Sequence, residues 1–168
     1  MINKNEIIRA LQLWFQPGDV FEIRVLDAVT AEWMRPHMES GYFDYEHIPS
    51  AADAIGRLRS YRGAYATVNP VIPDLLARAY NRIRGIMKEP TTADSDILTR
   101  RWLLVDCDPV RCSGISSTDK EHDAALSMAE KIRDGLDCAG WPKPILLDSG
   151  NGAQMMYRID VPAQDQGL

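Results

Sequence analysis

The sequence predicts an α+β fold, and three observations carry that prediction. Residues 5–15 place apolar side chains at helical spacing, which is typical of an amphipathic helix. Residues 20–27 alternate apolar and polar side chains, as a strand with one buried face does. From Trp102 onward the pattern indicates strand, helix, strand, strand, the first part of a split βαββαβ unit. Both halves of the chain are therefore expected to combine helices with strands.

The rest of the first half continues the mixed pattern. Ser50 is a candidate N-cap for a helix that reaches about residue 60, and residues 64–68 indicate a short strand. Pro73 suits the first position of another helix, whose apolar stripe extends to Ile83. Arg78 and Arg82 lie four residues apart in that stretch, so the prediction places them on one helical face.

In the second half, the continuous apolar run 102–105 predicts a strand that is buried on both faces. Thr118 and Glu121 have the spacing of a capping box, which predicts the start of a helix. Gly140 suits the end of that helix. The residues expected on its apolar face are Ala125, Met128, Ala129, Ile132 and Leu136.

Length and composition limit the class of protein. With 168 residues and 45% hydrophobic content, the chain is long enough for one compact domain with an ordinary core. Its three cysteines lack paired spacing, so neither a zinc site nor a disulfide framework is expected, and a cytoplasmic location fits. No run of 18 apolar residues occurs, so no membrane anchor is expected.

The charge pattern bears on nucleic-acid binding. A net charge of -5 argues against a protein that coats nucleic acid nonspecifically, because such domains are usually basic. Residues 55–105, however, carry nine basic side chains against four acidic ones. Most of these are expected to be solvated surface charges, with Arg78 and Arg82 the candidates for contacting a template strand.

Two acids follow the apolar run at 102–105. Because side chains alternate along a strand, Asp106 and Asp108 are expected on one face and Cys107 on the other. Two carboxylates held side by side repel each other, and a divalent cation relieves that repulsion. The spacing therefore predicts a metal site at this strand end.

A glycine-rich turn, Ser149-Gly150-Asn151-Gly152, separates two further apolar runs. Asn-Gly between such runs is a strong hairpin signal, which interprets the glycines as turn residues that need positive φ. The alternative is that the backbone N–H groups and the Ser149 hydroxyl bind an anion such as a phosphate. The turn taken alone leaves both interpretations open.

Together, Asp106-Cys107-Asp108-Pro109 and the Ser-Gly-Asn-Gly turn resemble the first two motifs of the archaeo-eukaryotic primase superfamily. The similarity is to its primase-polymerases from phages, plasmids and integrated elements, and residues 111–122 look like the segment that follows their first motif. The resemblance implies an N-terminal α/β module, residues 1–98, packed on an incomplete RRM-like (ferredoxin-like βαββ) catalytic core, residues 99–168.

The resemblance also implies an activity, metal-dependent nucleotidyl transfer, and roles for individual residues. Asp106 and Asp108 are the expected catalytic residues and ligands of Mg²⁺ or Mn²⁺. The expected nucleotide-binding residues are Ser149, Gly150, Asn151, Gly152, Gln154 and Arg111. The implied partners are nucleoside triphosphates, a single-stranded or primed DNA template and a helicase module in the parent protein, with a homodimer through an exposed sheet edge as a further expectation.

The sequence departs from the family pattern in two places. The family's third motif supplies another acid from a later strand, whereas Asp160 and Asp165 lie too early for that role, which predicts a fragment or a shortened relative. Gln154 stands where the family has a phosphate-binding histidine. A neutral amide in place of an imidazolium weakens such a hydrogen bond by about 1 kcal/mol, so a weak or inactive enzyme is expected.

Two alternatives remain open at this stage. One is a degenerate relative that binds nucleic acid or a replication partner without catalysis. The other is a metal-dependent nucleotide-sugar enzyme, because glycosyltransferases also use Asp-x-Asp.

Overall fold

The computed structural model describes residues 3–31, 34–112 and 114–163 and has the mixed α and β composition expected from the sequence. Its strands form two antiparallel sheets. The chain divides into two compact units, one of Met1–Arg100 with Val161–Leu168 and the other of Arg101–Asp160. Among the described residues, 161–163 group with the first unit.

The first unit contains a four-stranded sheet in the order β3-β1-β2-β4. Strand β1 pairs antiparallel with β2 and with β3, and β2 pairs antiparallel with β4. Its elements are α1 (Lys4–Trp14), β1 (Val20–Ala28), β2 (His37–Asp44), α2 (Ile48–Arg57), β3 (Gly63–Ala66) and β4 (Arg84–Ile86).

Helix α1 forms as the periodicity predicts. The Asn3 side chain accepts hydrogen bonds from the backbone N–H groups of Asn5 and Glu6, which satisfies two donors that the helix itself leaves free. One face of the helix contributes Leu11 to a core cluster that also contains Phe21 and Phe43. Apolar burial against the sheet therefore holds the helix in place.

The helix predicted from Pro73 to Ile83 is wrong. Only a short 3-10 turn, Pro73–Arg78, is present. Beyond it the backbone bonds to β2, because Tyr42 N–H donates to the Ala79 carbonyl and Asn81 N–H donates to the Tyr42 carbonyl. These bonds to Tyr42 replace helical ones, so Arg78 and Arg82 do not share a helical face.

The second unit contains a three-stranded sheet in the order β5-β7-β6. Strand β7 lies between the two strands that the helix connects, which is the arrangement of a split β-α-β motif. The Thr118–Glu121 capping box is confirmed at the start of its helix. The elements are β5 (Thr99–Cys107), α3 (Asp119–Cys138), β6 (Ile145–Asp148) and β7 (Ala153–Pro162).

Helix α3 packs on one face of this sheet through small and large apolar side chains. Ala125 and Ala129 are buried, and Ala129 clusters with Cys107, Met155 and Tyr157. Met128, predicted on the apolar face, is instead exposed. The partly buried α3 residues that pack against the cluster are Leu126, Ile132 and Leu136.

The prediction that strand β5 is buried on both faces is also wrong. Leu103 and Leu104 are each 39% exposed. The cluster under α3 includes Val105 and Cys107 but not Leu103, which alternates onto the same face, while Leu104 projects from the opposite face. Among the described residues, no helix combines the length and apolar character needed to cross a bilayer.

Candidate metal and nucleotide site

Asp106 and Asp108 lie at the end of β5 with the alternation expected from the sequence. Both acids are exposed, whereas Cys107 is buried in the cluster beneath α3. Burial, and secondarily the nearby Asp106 charge, raise the pKa of the Cys107 thiol. Within the described part of the chain, neither carboxylate has a hydrogen-bond or ion-pair partner. Both acids are therefore available to a ligand.

The glycine-rich turn lies directly against this strand end. A Cβ added to Gly152 would lie 2.4 Å from the Cys107 carbonyl oxygen and 2.9 Å from Asp108 Oδ1. No side chain fits there, so the close approach requires glycine. Cys107, Ala153 and Met155 cluster beneath α3, so the alternating residues Asp106 and Gln154 project from the other face of the sheet. The structure thus brings Asp106, Asp108, Gly152 and Gln154 to one region.

The turn joins β6 and β7 as a hairpin, as predicted, but its donors bond to the turn itself. Ser149 Oγ accepts hydrogen bonds from Gly152 N–H at 3.0 Å and Asn151 N–H at 3.3 Å. Asp148 Oδ1 accepts one from Gly150 N–H at 2.7 Å. Ser149 Oγ in turn donates to the Gly152 carbonyl. An incoming phosphate would therefore have to replace internal hydrogen bonds to reach these groups.

Positive φ occurs at one glycine of the turn rather than at both. Gly150 has φ +76°, which confirms the need for glycine there, while Gly152 is required by its contact with β5. Asp148 pairs with Ala153, so the loop between the strands has four residues. The two glycines are therefore required for different physical reasons.

The segment after β5 is tied to the turn through Asn151. Ser117 N–H donates to Asn151 Oδ1 at 2.9 Å, and Ser117 Oγ donates to the Asn151 carbonyl at 2.6 Å. Arg111, in the same segment, donates from Nη1 to the Ile115 carbonyl. Its Nε is buried without a hydrogen-bond partner in the described part of the chain. Arg111 thus retains one buried donor.

One pair of residues beside the turn was not predicted. His122 Nε2 lies 2.9 Å from Asp148 Oδ1, the same oxygen that accepts from Gly150 N–H. The Gly150 N–H and then His122 hold the pKa of the Asp148 carboxyl below its ordinary value. The pair could not be predicted from local sequence patterns, because 26 residues separate His122 from Asp148. The only sequence signal was that His122 follows the capping box at the start of α3.

The other acids considered from sequence do not join the site. Asp160 is engaged by Arg158 at 2.6 Å and by Arg101 at 3.8 Å. Asp165 lies outside the described residues. Within 3–31, 34–112 and 114–163, no three or more His, Cys, Asp or Glu side chains are grouped to hold a metal ion. Asp106 and Asp108 nevertheless offer the oxygen donors that suit Mg²⁺ or Mn²⁺, with phosphate, water or another acid needed to complete the coordination.

Arg78 and Arg82, the candidates for template contact, have different surroundings. Arg78 Nη1 donates to the Pro90 carbonyl, and its own carbonyl accepts a hydrogen bond from Arg84 Nε. Arg82 lines a hollow of about 410 Å³ together with Arg57 and Glu39. Their contact with a template stays a prediction.

Comparison of the chain with protein-family models, with curated proteins and with solved structures finds no match. The function is therefore argued from the geometry of the site and from the motifs in the sequence.

Proposed function

We propose that this chain is a catalytic domain of the primase-polymerase type that performs metal-dependent nucleotidyl transfer in the replication of a mobile element. The observation that carries the proposal is the contact between Gly152 and the end of β5, which brings the glycine-rich turn beside Asp106 and Asp108. A metal site and a phosphate-binding turn must adjoin in any enzyme that transfers a nucleotide.

Asp106 and Asp108 would hold Mg²⁺ or Mn²⁺. When bound, the metal neutralises charge on the reacting phosphates and activates the attacking hydroxyl. Both carboxylates are exposed and unpartnered among the described residues, so no ion pair has to break before they bind a cation. Their mutual repulsion favours the bound state further.

The turn and its neighbours would hold the triphosphate. Gln154 can donate from its amide on the sheet face that also carries Asp106, and Arg111 has a buried Nε without a partner in the described residues. The N–H groups of Gly150, Asn151 and Gly152 would have to exchange internal acceptors for phosphate oxygens. That exchange lowers the expected affinity relative to a turn whose donors are free.

The strand order supports an RRM-like core. In a complete βαββαβ unit the fourth strand pairs beside the first, which here is β5. Within the described residues β7 is the only sheet neighbour of β5, whose other edge pairs with no described strand. A third acid supplied there, by another segment or by a second copy in a homodimer, would lie beside Asp106 and Asp108.

The decisive experiment compares two double variants with the same change in charge. Asp106→Asn with Asp108→Asn is expected to weaken Mn²⁺-dependent binding of a fluorescent deoxynucleoside triphosphate at least tenfold, and to abolish any primer extension. Asp74→Asn with Asp123→Asn removes two exposed acids elsewhere and should behave as wild type. Equal nucleotide binding by the two double variants would refute the proposal.

A second candidate function is a non-catalytic module that binds nucleic acid. The internally bonded turn favours it, because this turn is stable without any phosphate. This candidate predicts single-strand binding that persists in EDTA and weakens as salt rises. If triphosphate binding depends on metal and requires Asp106 and Asp108, nucleic-acid binding alone cannot be the function of this chain.

A further inference from the structure

The four-stranded sheet has a cavity on the face opposite the phenylalanine core, beside a second apolar cluster that includes Val20 and Tyr42. Phe21, Ile23 and Val25 of β1 point into the core, so the alternating residues Glu22, Arg24 and Leu26 face the opposite side. There they line a cavity of about 570 Å³, together with side chains from the neighbouring strands. That volume is in the range of small-molecule sites.

Tyr65 supplies an aromatic surface to this cavity. It pairs with Arg24 across β1 and β3, so both side chains project from the same face. The residue is 56% exposed. A Cβ added to Gly63 would lie 2.6 Å from the Tyr65 ring, so the ring lies against the Gly63 backbone. The Tyr65 ring can occupy this position because residue 63 has no side chain.

Arg24 is held in a fixed orientation beside Tyr65. Its Nε donates to Glu22 Oε1 at 3.2 Å and its Nη2 donates to Glu22 Oε2 at 2.8 Å. Nη2 also lies 3.3 Å from the Thr92 carbonyl oxygen. Nη1 has no partner among the described residues, and the side chain is 33% exposed. The guanidinium thus keeps one amino group for a ligand.

Glu22 acts on the cavity through Arg24. The carboxylate is buried and accepts four hydrogen bonds: two from Arg24, one from Ser40 Oγ at 2.6 Å and one from Thr92 N–H at 3.2 Å. Burial alone would raise the pKa of Glu22, but the bonds from Arg24, Ser40 and Thr92 outweigh it and leave the pKa lowered. Glu22 therefore stays ionised and is a positioning residue.

We propose that this cavity binds one nucleotide unit, with its base stacked on Tyr65 and its phosphate bound by Nη1 of Arg24. A tyrosine ring stacks on any base, and a guanidinium binds phosphate, so the two together select a nucleoside phosphate. Leu26 and the partly exposed Met38 supply apolar surface for the base and sugar.

The charges around the cavity favour a single nucleotide over a long strand. Glu22 and Asp94 both line the cavity, and because Arg24 offsets only one of these two negative charges, a second phosphate would be repelled. The ligand is either a free nucleotide or one nucleotide of a single strand. This site uses neither Asp106 nor Asp108 and requires no metal, so it goes beyond the proposed nucleotidyl transfer.

The test measures equilibrium binding of dAMP, adenosine and a dA oligonucleotide to the full chain in EDTA. Tyr65→Ala should weaken binding roughly 5- to 150-fold, the range expected for loss of one stacked base. Tyr65→Phe keeps the ring and should stay within about twofold of wild type. Arg24→Lys should reduce the preference for dAMP over adenosine, because lysine lacks the planar fork.

Matched controls separate this site from other surfaces. Tyr80 is similarly exposed, at 63%, but does not line the cavity, so Tyr80→Ala should bind like wild type. Gly63→Ala moves the Tyr65 ring without removing it and should weaken binding less than Tyr65→Ala. Circular dichroism establishes that each variant is folded.

Three results would overturn the proposal: no binding of either phosphate ligand at millimolar concentration, equal loss in the Tyr65→Ala and Tyr80→Ala variants, or loss in the Asp106→Asn/Asp108→Asn variant. Tyr65-dependent binding of dAMP alone identifies a free nucleotide as the ligand, while stronger binding of the oligonucleotide identifies a strand. Retained binding in the double aspartate variant supports this site even if nucleotidyl transfer is not found.

Discussion

Both units carry carboxylates on the strands of a sheet, but they surround these groups differently. Glu22 in the four-stranded sheet is 1% exposed and accepts four hydrogen bonds. Asp106 and Asp108 in the three-stranded sheet are exposed, with no partner among the described residues. A buried charge must be paired because desolvation is costly, whereas an exposed one can stay unpaired. The comparison is consistent with the proposals that Glu22 positions Arg24 and that the two aspartates bind a ligand.

The hydrophobic cores of the two units differ in the size and burial of their side chains. In the first unit Phe15, Phe21 and Phe43 stack, with centroid separations of 4.5 and 6.1 Å. In the second unit the fully buried residues of α3 are alanines and its leucine and isoleucine side chains are only partly buried, while Leu104 of β5 is 39% exposed. Larger apolar side chains bury more area, so substitutions in the first core should have the larger effects on stability.

The largest expected effect comes from Phe43→Ala. Phe43 is fully buried in the four-stranded sheet, so its removal should lower the free energy of unfolding by about 3–5 kcal/mol. Leu104→Ala, at a partly exposed position of β5, should lower it by less than about 1 kcal/mol. Urea unfolding followed by circular dichroism measures both. Equal losses would show that the two sheets do not differ in packing.

Glu22→Gln tests the buried charge. At neutral pH we expect the free energy of unfolding to fall by about 1–3 kcal/mol, because Arg24, Ser40 and Thr92 lose a charged acceptor. The folded-state pKa of Glu22 is lowered from 4.5, so this stability is present above pH 4.5 and is lost as pH falls through the folded-state pKa.

The difference between wild type and Glu22→Gln should therefore shrink below pH 4.5. Urea unfolding at a series of pH values measures it. A difference that is constant with pH would show that the Glu22 charge does not contribute to the free energy of unfolding.

Gly152→Ala tests the contact between the turn and β5. The added methyl would overlap the Cys107 carbonyl oxygen, a backbone atom that cannot move freely, so we expect a loss of about 1–3 kcal/mol. Gly135→Ala in α3 meets open space and should stabilise the protein by roughly 0.5–1 kcal/mol. Thermal unfolding compares the two, and a neutral Gly152→Ala would mean that the turn is not held against the strand.

The smallest of these effects is expected for Thr118→Ala. Thr118 Oγ1 accepts the Glu121 N–H at the start of α3, and loss of this cap should reduce stability by about 1 kcal/mol. Ser127→Ala, at an exposed position inside the same helix, should be neutral or slightly stabilising. Chemical unfolding of both variants gives the difference, and a harmless Thr118→Ala would show that the capping box does not support the helix.

Local sequence signals predicted much of the fold. The periodicity of α1, the capping box at Thr118 and the hairpin around Gly150 each depend on residues within a few positions of one another. The alternation that puts Asp106 and Asp108 on one face of β5 is likewise a property of the strand itself. In each case neighbouring residues supply the hydrogen bonds or the side-chain spacing.

Tertiary contacts decided what the local signals could not. Backbone bonds to Tyr42 replace the helix predicted to reach Ile83, and Leu104, on the face of β5 opposite α3, is 39% exposed. The bond from Thr92 to Glu22 spans 70 residues, and the contact of Gly152 with Cys107 joins two strands. The sequence by itself therefore determined the local elements and the alternation of side chains along each strand, while the packing of distant segments decided which side chains meet, because that packing depends on the whole fold.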